Sequence, residues 1–460
     1  MKVYRPELIA GLVSRRMSEP VGVEGKRRVA NNFQDLDFFL GQELVADPYP
    51  YFDSLRAQCP VQKENHHDVV MVTGYEEALE VYNDVERFSS CISVTGPFPG
   101  FPVPLAGVDN VDELIAEHRD KLPMSDQLPT LDPPTHTAHR ALLMRLITPK
   151  RLKENEEAMW SIADRVLDDY LAAGKGDLVR DFAGPFTLYV IADLLGVPPE
   201  DQEEFLHALQ REHRANSSVG STEGEGMQHN PIEFLYGKFS GYIEQRRREP
   251  REDVLTSMAV ATFPDGSEPE VLDVVRVAAN LFSAGQETTV RLLGSAFRKL
   301  AEDRELQAYL RADTSRIQNF IEESLRAESP VKGDFRLAKV DTTVGGVPVA
   351  QGSILMVVNG AANRDPRRFT DPSEFDPARS NARSHISFGR GPHTCPGAPL
   401  ARAEARVALE RLLARTSDIR IDESVHGPAD ARDFDYLPTF ILRGLTKLHL
   451  EFDVVEEAGA

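Results

Sequence analysis

The run Phe388-Gly389-Arg390-Gly391-Pro392-His393-Thr394-Cys395-Pro396-Gly397 constrains this chain more than any other segment. It sets one cysteine in a glycine-rich loop, with a phenylalanine seven residues before it and a glycine two after. Glycine lets the backbone bend tightly and approach a flat group with no Cβ in the way. Backbone N–H groups in such a bend point at the sulfur and tune its electron donation. A single thiolate held this way suits ligation of a haem iron, where its electron density favours O–O bond cleavage. Phe388 is placed to shield the sulfur from water. A lone cysteine is more often plain core, so this reading depends on what the rest of the chain supplies.

The 460 residues suffice for a core that encloses a cofactor. With 41% hydrophobic and 27% charged residues, the composition is that of an ordinary globular protein. A formal charge of −21 argues against nucleic acid held by a general basic field. Cys59, Cys91 and Cys395 are too few and too scattered for a disulfide framework or a zinc site, which fits a reducing, cytoplasmic setting. No run approaches the length of a membrane span. The first residues hold Arg and Lys but no apolar signal region. The expected division is a mobile extension over 1–34 and a single domain over 35–460.

Most of the chain carries helical periodicity. Asn155–Ala173 sets Met159, Ile162, Ala163, Val166, Tyr170 and Leu171 on one face, and Gly174 stops it. Thr148-Pro149 upstream supplies an N-cap and a first-turn proline. Val271–Leu293 is a long apolar helical stretch interrupted by Ala284-Gly285-Gln286-Glu287-Thr288-Thr289. A glycine and two β-branched threonines weaken a helix interior, and such local flaws gather at functional sites. Strand patterns are short: Asp68–Thr73, and the alternation of Leu448, Leu450, Phe452 and Val454. Thr95–Pro104 is too proline-rich for a helix. Asn216–Asn230, rich in Ser, Gly and Glu, is a loop suited to act as a lid.

With Glu323-Ser324-Leu325-Arg326 and the spacing of His136 and Arg140 added to these motifs, the chain resembles the cytochrome P-450 family over roughly residues 35–455, in its soluble bacterial form. The resemblance implies a mainly α fold with small β-sheets (α+β). Haem b would lie buried between the oxygen-activating helix and the helix that follows the cysteine loop. Cys395 becomes the iron ligand, with Phe388, Gly389 and Gly397 around it. Ala284 and Gly285 leave room for O2, and Glu287 and Thr288 deliver the protons that O–O cleavage needs. That acid–alcohol pair stands where peroxide-using members lack it, which implies O2 activation. His136, Arg140, Arg336 and His393 match groups that hold the haem propionates. Glu323 and Arg326 form a buried pair, with Arg368 or Arg379 as the third partner. His139 and His385 are left to structural or surface roles.

The implied activity is monooxygenation, hydroxylating or epoxidising a small to medium apolar molecule. The alternatives are a non-hydroxylating oxidation or coupling, or a haem sensor without turnover. Pocket candidates by position are Phe98, Phe101, Val103, Leu105, Leu281, Phe282, Ala284, Val331, Leu437, Thr439 and Phe440, mostly apolar as ligand pockets are. Electrons would come from a separate ferredoxin and its NAD(P)H-dependent reductase. The ferredoxin would dock on the basic group Arg140, Arg145, Lys150, Arg151 and Lys153, with Arg390 nearby. A monomer is expected, with neither membrane nor nucleic acid as partner.

Overall fold

The computed structural model describes residues 33–213 and 231–455. The proposed extension therefore lies almost wholly outside the described residues, as does the loop at Asn216–Asn230.

Eight helices position the site: α1 (Thr135–Met144), α2 (Pro149–Ala172), α3 (Gly184–Leu195), α4 (Pro199–His213), α5 (Pro231–Arg248), α6 (Val271–Glu302), α7 (Ile317–Glu328) and α8 (Ala398–Arg415). α2 begins where Thr148 and Pro149 place it, with the Thr148 Oγ1 accepting from Arg151 N at 3.3 Å. Gly174 follows α2 with φ +67°, the left-handed setting that stops a helix cheaply only at glycine.

α6 runs nine residues beyond the apolar stretch that announces it, and packs against α1, α3, α5, α7 and α8. Its face of Phe282, Leu293 and Phe297 joins Phe182, Phe186, Phe205 and Phe239 in the larger core. A second core, with Phe39, Phe52, Phe335 and Phe440, lies under a five-stranded sheet. That sheet orders Val61–Lys63, Val70–Val72, Ile354–Val357, Asp334–Ala338 and Phe88–Ser89, with Arg336 opposite Leu355. His449–Val454 pairs with Lys175–Asp177 and Thr416–Ile421, burying Leu450 and Phe452 as their alternation requires. Helices dominate and the sheets are marginal, as expected. Among the described residues, no helix is long and apolar enough to cross a membrane.

Candidate active site

Cys395 stands part-buried in the bend before α8. Its N–H donates to the Phe388 carbonyl at 2.8 Å and closes the loop on itself. Gly391 has φ +69°, and a Cβ there would lie 2.3 Å from the Tyr82 carbonyl oxygen. Only glycine meets both demands. A Cβ on Gly397 would stand 3.8 Å from Cys395 Sγ, in contact with the sulfur but without a clash. Burial pushes the Cys395 thiol up; the N–H groups of Gly397 and Ala398 and the charges of Arg140 and Arg402 oppose it. Amides and cations thus offset part of the cost of ionising this part-buried sulfur.

A cluster of donors gathers beside this loop. His136 and Arg140 share one face of α1 at i and i+4. The His136 ring lies 3.9 Å from that of His393, centroid to centroid. Burial, reinforced by Arg140 and Arg336, lowers the His136 pKa to about 4. Burial, Arg336 and His136 bring His393 to about 2. His393 Nε2 lies 3.2 Å from Ser90 Oγ. Arg140 donates to the Thr394 carbonyl at 2.6 Å, and Arg336 meets Asp334 at 3.1 Å. Among the described residues, His136, Arg140 and His393 meet no carboxylate. A guanidinium without a carboxylate partner beside two neutral imidazoles and the Arg336 guanidinium suits a group bearing two carboxylates. Haem is such a group, so the residues present fit it.

On α6 the six-residue run breaks the burial of the helix. Ala284 is exposed and Ser283, Glu287 and Thr288 are half-buried, while Leu281, Phe282, Thr289 and Val290 are buried. The Thr288 hydroxyl donates to the Ala284 carbonyl at 2.9 Å, the i−4 bond common for helical threonine. That bond uses its proton and leaves lone pairs free to accept from water. Glu287 accepts from Arg291 Nη2 at 3.4 Å. Arg291 is buried and also donates to the Leu445 carbonyl at 2.8 Å. A Cβ on Gly444 would meet Arg291 Cδ at 2.4 Å, so glycine there lets the arginine stem lie flat.

The structure places the positional candidates as follows. The Cβ direction of Gly285 points to Ile191 Cδ1 of α3 at 3.6 Å, an ordinary contact, and Ala284 is exposed. Phe282 is 0% exposed, with its ring against Phe205 and Phe239, because the helix turns that face to α4 and α5. Leu105 and Leu281 are buried, Leu105 against Gly352. Thr439 spends its hydroxyl inside its own turn, accepting from Leu442 N at 2.8 Å. Phe440 packs on Phe39, Phe98 and Phe335. Phe98, Phe101, Val103, Val331 and Leu437 stay partly exposed. The basic group is also not one outward patch. Arg140 turns inward to Thr394 and Arg151 is half-buried, leaving Arg145, Lys150 and Lys153 exposed.

Glu323 and Arg326 are both fully buried on α7 and paired through two bonds of 2.7 Å. The third partner is Arg379, whose Nε reaches Glu323 Oε1 at 3.1 Å; Arg368 binds Ser384 instead. Three further residues bear on the loop and were not singled out for it: Glu322, which accepts from Arg402 Nε at 2.7 Å; His385, whose Nε2 lies 2.9 Å from Glu322; and Ser90. Their partners lie dozens to hundreds of residues away, so no local pattern marks them. His139 ties α1 to α6 through Asp273 at 3.4 Å, a structural role as expected.

The sequence model described as cytochrome P450 matches residues 221–417. Cytochrome P450 144 of Mycobacterium tuberculosis (strain CDC 1551 / Oshkosh) is 32% identical over 429 residues, covering 91% of this chain and 92% of its own length. The 6-deoxyerythronolide B hydroxylase of Saccharopolyspora erythraea is 31% identical over 413 residues, 88% of this chain and 96% of its own. Among solved structures, substrate-free cytochrome P450 CYP150A6 of Mycobacterium marinum aligns with a TM-score of 0.86 and 52% identity. It covers 92% of this chain and all of its own.

Proposed function

This chain belongs to the cytochrome P450 family, whose members are haem-thiolate monooxygenases, and from that premise we propose that it hydroxylates or epoxidises a small to medium apolar molecule with O2. The observation that carries the reading is the Cys395 loop: a part-buried sulfur faced by two amides, beside His136, Arg140 and His393, which meet no carboxylate among the described residues. Haem b supplies, when bound, the iron at which O2 is activated, with thiolate donation favouring O–O cleavage.

The chain's own residues do the rest. Cys395 ligates through its sulfur, kept electron-rich by burial and steadied by the Gly397 and Ala398 amides. His136, Arg140, Arg336 and His393 hold the two carboxylates. Neutral imidazoles donate there without adding charge, and the two guanidinia supply the compensation. Thr288 orients water with its free lone pairs, and the Glu287 carboxylate feeds that water protons from the solvent side. Ala284, Val331, Phe98 and Leu437 give the substrate an apolar wall that excludes bulk water. Electrons arrive from a separate ferredoxin and its NAD(P)H-dependent reductase, at the exposed cations Arg145, Lys150 and Lys153. The cytoplasm is the compartment, and a monomer suffices.

The test is an optical titration of the purified ferric protein against terpenes, steroids, fatty acids and small aromatics. A saturable Soret shift with one class identifies the substrate family. A colourless protein that takes up no haem overturns the reading.

A further inference from the structure

We propose that Glu322 is a positioning residue: it fixes Arg402 and His385 around Phe388, and through this charge pair tunes the reduction potential of the iron that Cys395 would ligate. The inference rests on Cys395 being the haem ligand.

Glu322 is buried on α7 beside Glu323 but serves different partners. Its Oε1 accepts from Arg402 Nε at 2.7 Å, and its Oε2 from Arg402 Nη2 at 3.0 Å. This two-point geometry holds a guanidinium plane as a single bond does not. Oε2 also lies 2.9 Å from His385 Nε2. His385 Nδ1 accepts from Ser387 N at 3.1 Å, so the ring proton sits on Nε2 and points at Glu322. The imidazole is neutral, and burial lowers its pKa further. Arg383 approaches Glu322 Oε1 at 3.9 Å from the solvent, and Arg390 donates to the His385 carbonyl at 2.9 Å.

These groups enclose Phe388. The Arg402 guanidinium stands 4.6 Å over its ring centroid, and the His385 ring lies 5.7 Å away. Phe388 in turn accepts the N–H of Cys395 on its carbonyl. Arg402 is also among the cations that favour the ionised sulfur. Reduction adds one negative charge at the iron centre. A fixed cation near the sulfur favours the reduced form and a fixed anion disfavours it. Both charges are little screened, because Glu322 is buried and Arg402 only a quarter exposed. Arg402 stands over the shielding ring and is among the charges that act on the sulfur, so the pair has a direction.

Spectroelectrochemical titration of the substrate-free holoprotein tests this, in buffer well above the ordinary histidine pKa of about 6.5 so that His385 stays neutral. Arg402→Gln should lower the potential and Glu322→Gln should raise it. The double variant should return towards wild type, and Arg402→Lys should stay close to it. Haem content and thermal midpoint are read alongside. Opposed shifts that cancel in the double variant support the proposal. Unchanged potentials, or shifts of one sign that follow haem loss, overturn it in favour of simple packing. Failure of the wild type to bind haem overturns the Cys395 assignment itself, and this inference with it.

Discussion

At the scale of the residue, Glu404 sets the clearest electrostatic problem. It is buried on α8, its Oε2 has no hydrogen-bond partner among the described residues, and the Thr289 hydroxyl is its side-chain contact. Burial raises its pKa from 4.5 to about 8, against which Thr289 helps only slightly. The folded protein thus holds this proton more tightly than the unfolded chain does. Stability should fall as pH rises from 4.5 to about 8, by on the order of a few kcal/mol. Glu404→Gln should flatten that slope, read as urea midpoints across the range; an unchanged slope would place the proton elsewhere. The charge type was visible in the sequence but the burial was not. Glu404 follows Cys395 on a helix of alternating Ala, Arg and Glu, where nothing local marks which side faces inward. Thr288 and Cys395, by contrast, stood out because a glycine, a proline or a β-branched residue broke the local pattern around each.

Among the elements, α7 carries the strongest side-chain ties. Glu323 and Arg326 have no exposure, and Arg326 also donates to the carbonyls of Asn363, Pro372 and Glu374. Arg326→Ala would strand the Glu323 charge with Arg379 alone, at a cost of ~3–5 kcal/mol. Lower urea midpoints and sub-stoichiometric haem should report it; wild-type values would mean that Arg379 suffices. The i, i+3 spacing made this pair legible, but the choice of Arg379 over Arg368 was open until the chain folded back on itself. The same limit governs α6. Its existence followed from apolar length, and the weak point from its glycine and threonines. Its rotation at the weak point did not follow, because Ala284 to Thr289 interrupts the apolar face that periodicity would otherwise assign. Only the fold shows that Phe282 faces α4 and α5 and that the Cβ direction of Gly285 faces α3.

For the whole molecule, charge is the property that reaches furthest. Against a total of −21, Arg145, Lys150 and Lys153 stay exposed near the start of α2, where Lys150 pairs with Glu154 at 3.7 Å. Exposed pairs of that kind contribute little to stability. Arg145→Gln with Lys150→Gln should therefore leave the melting temperature within about a degree. Stopped-flow reduction of the iron by an acidic ferredoxin should slow several-fold, and the deficit should shrink as salt rises. Equal rates at low salt would move the docking face elsewhere. The mainly helical architecture was legible from patterning, whereas the side chains that join distant segments are far apart in sequence. One of those joins has a mechanical meaning. Glu322 and Glu323 are neighbours, so they leave α7 about 100° apart, one gripping the cysteine loop and the other the Arg379 segment. A helix gripped from two directions cannot roll to suit one partner without releasing the other. The angular setting of α7 is thereby a common reference for both segments, and a one-residue insertion ahead of Glu322 would detach them together.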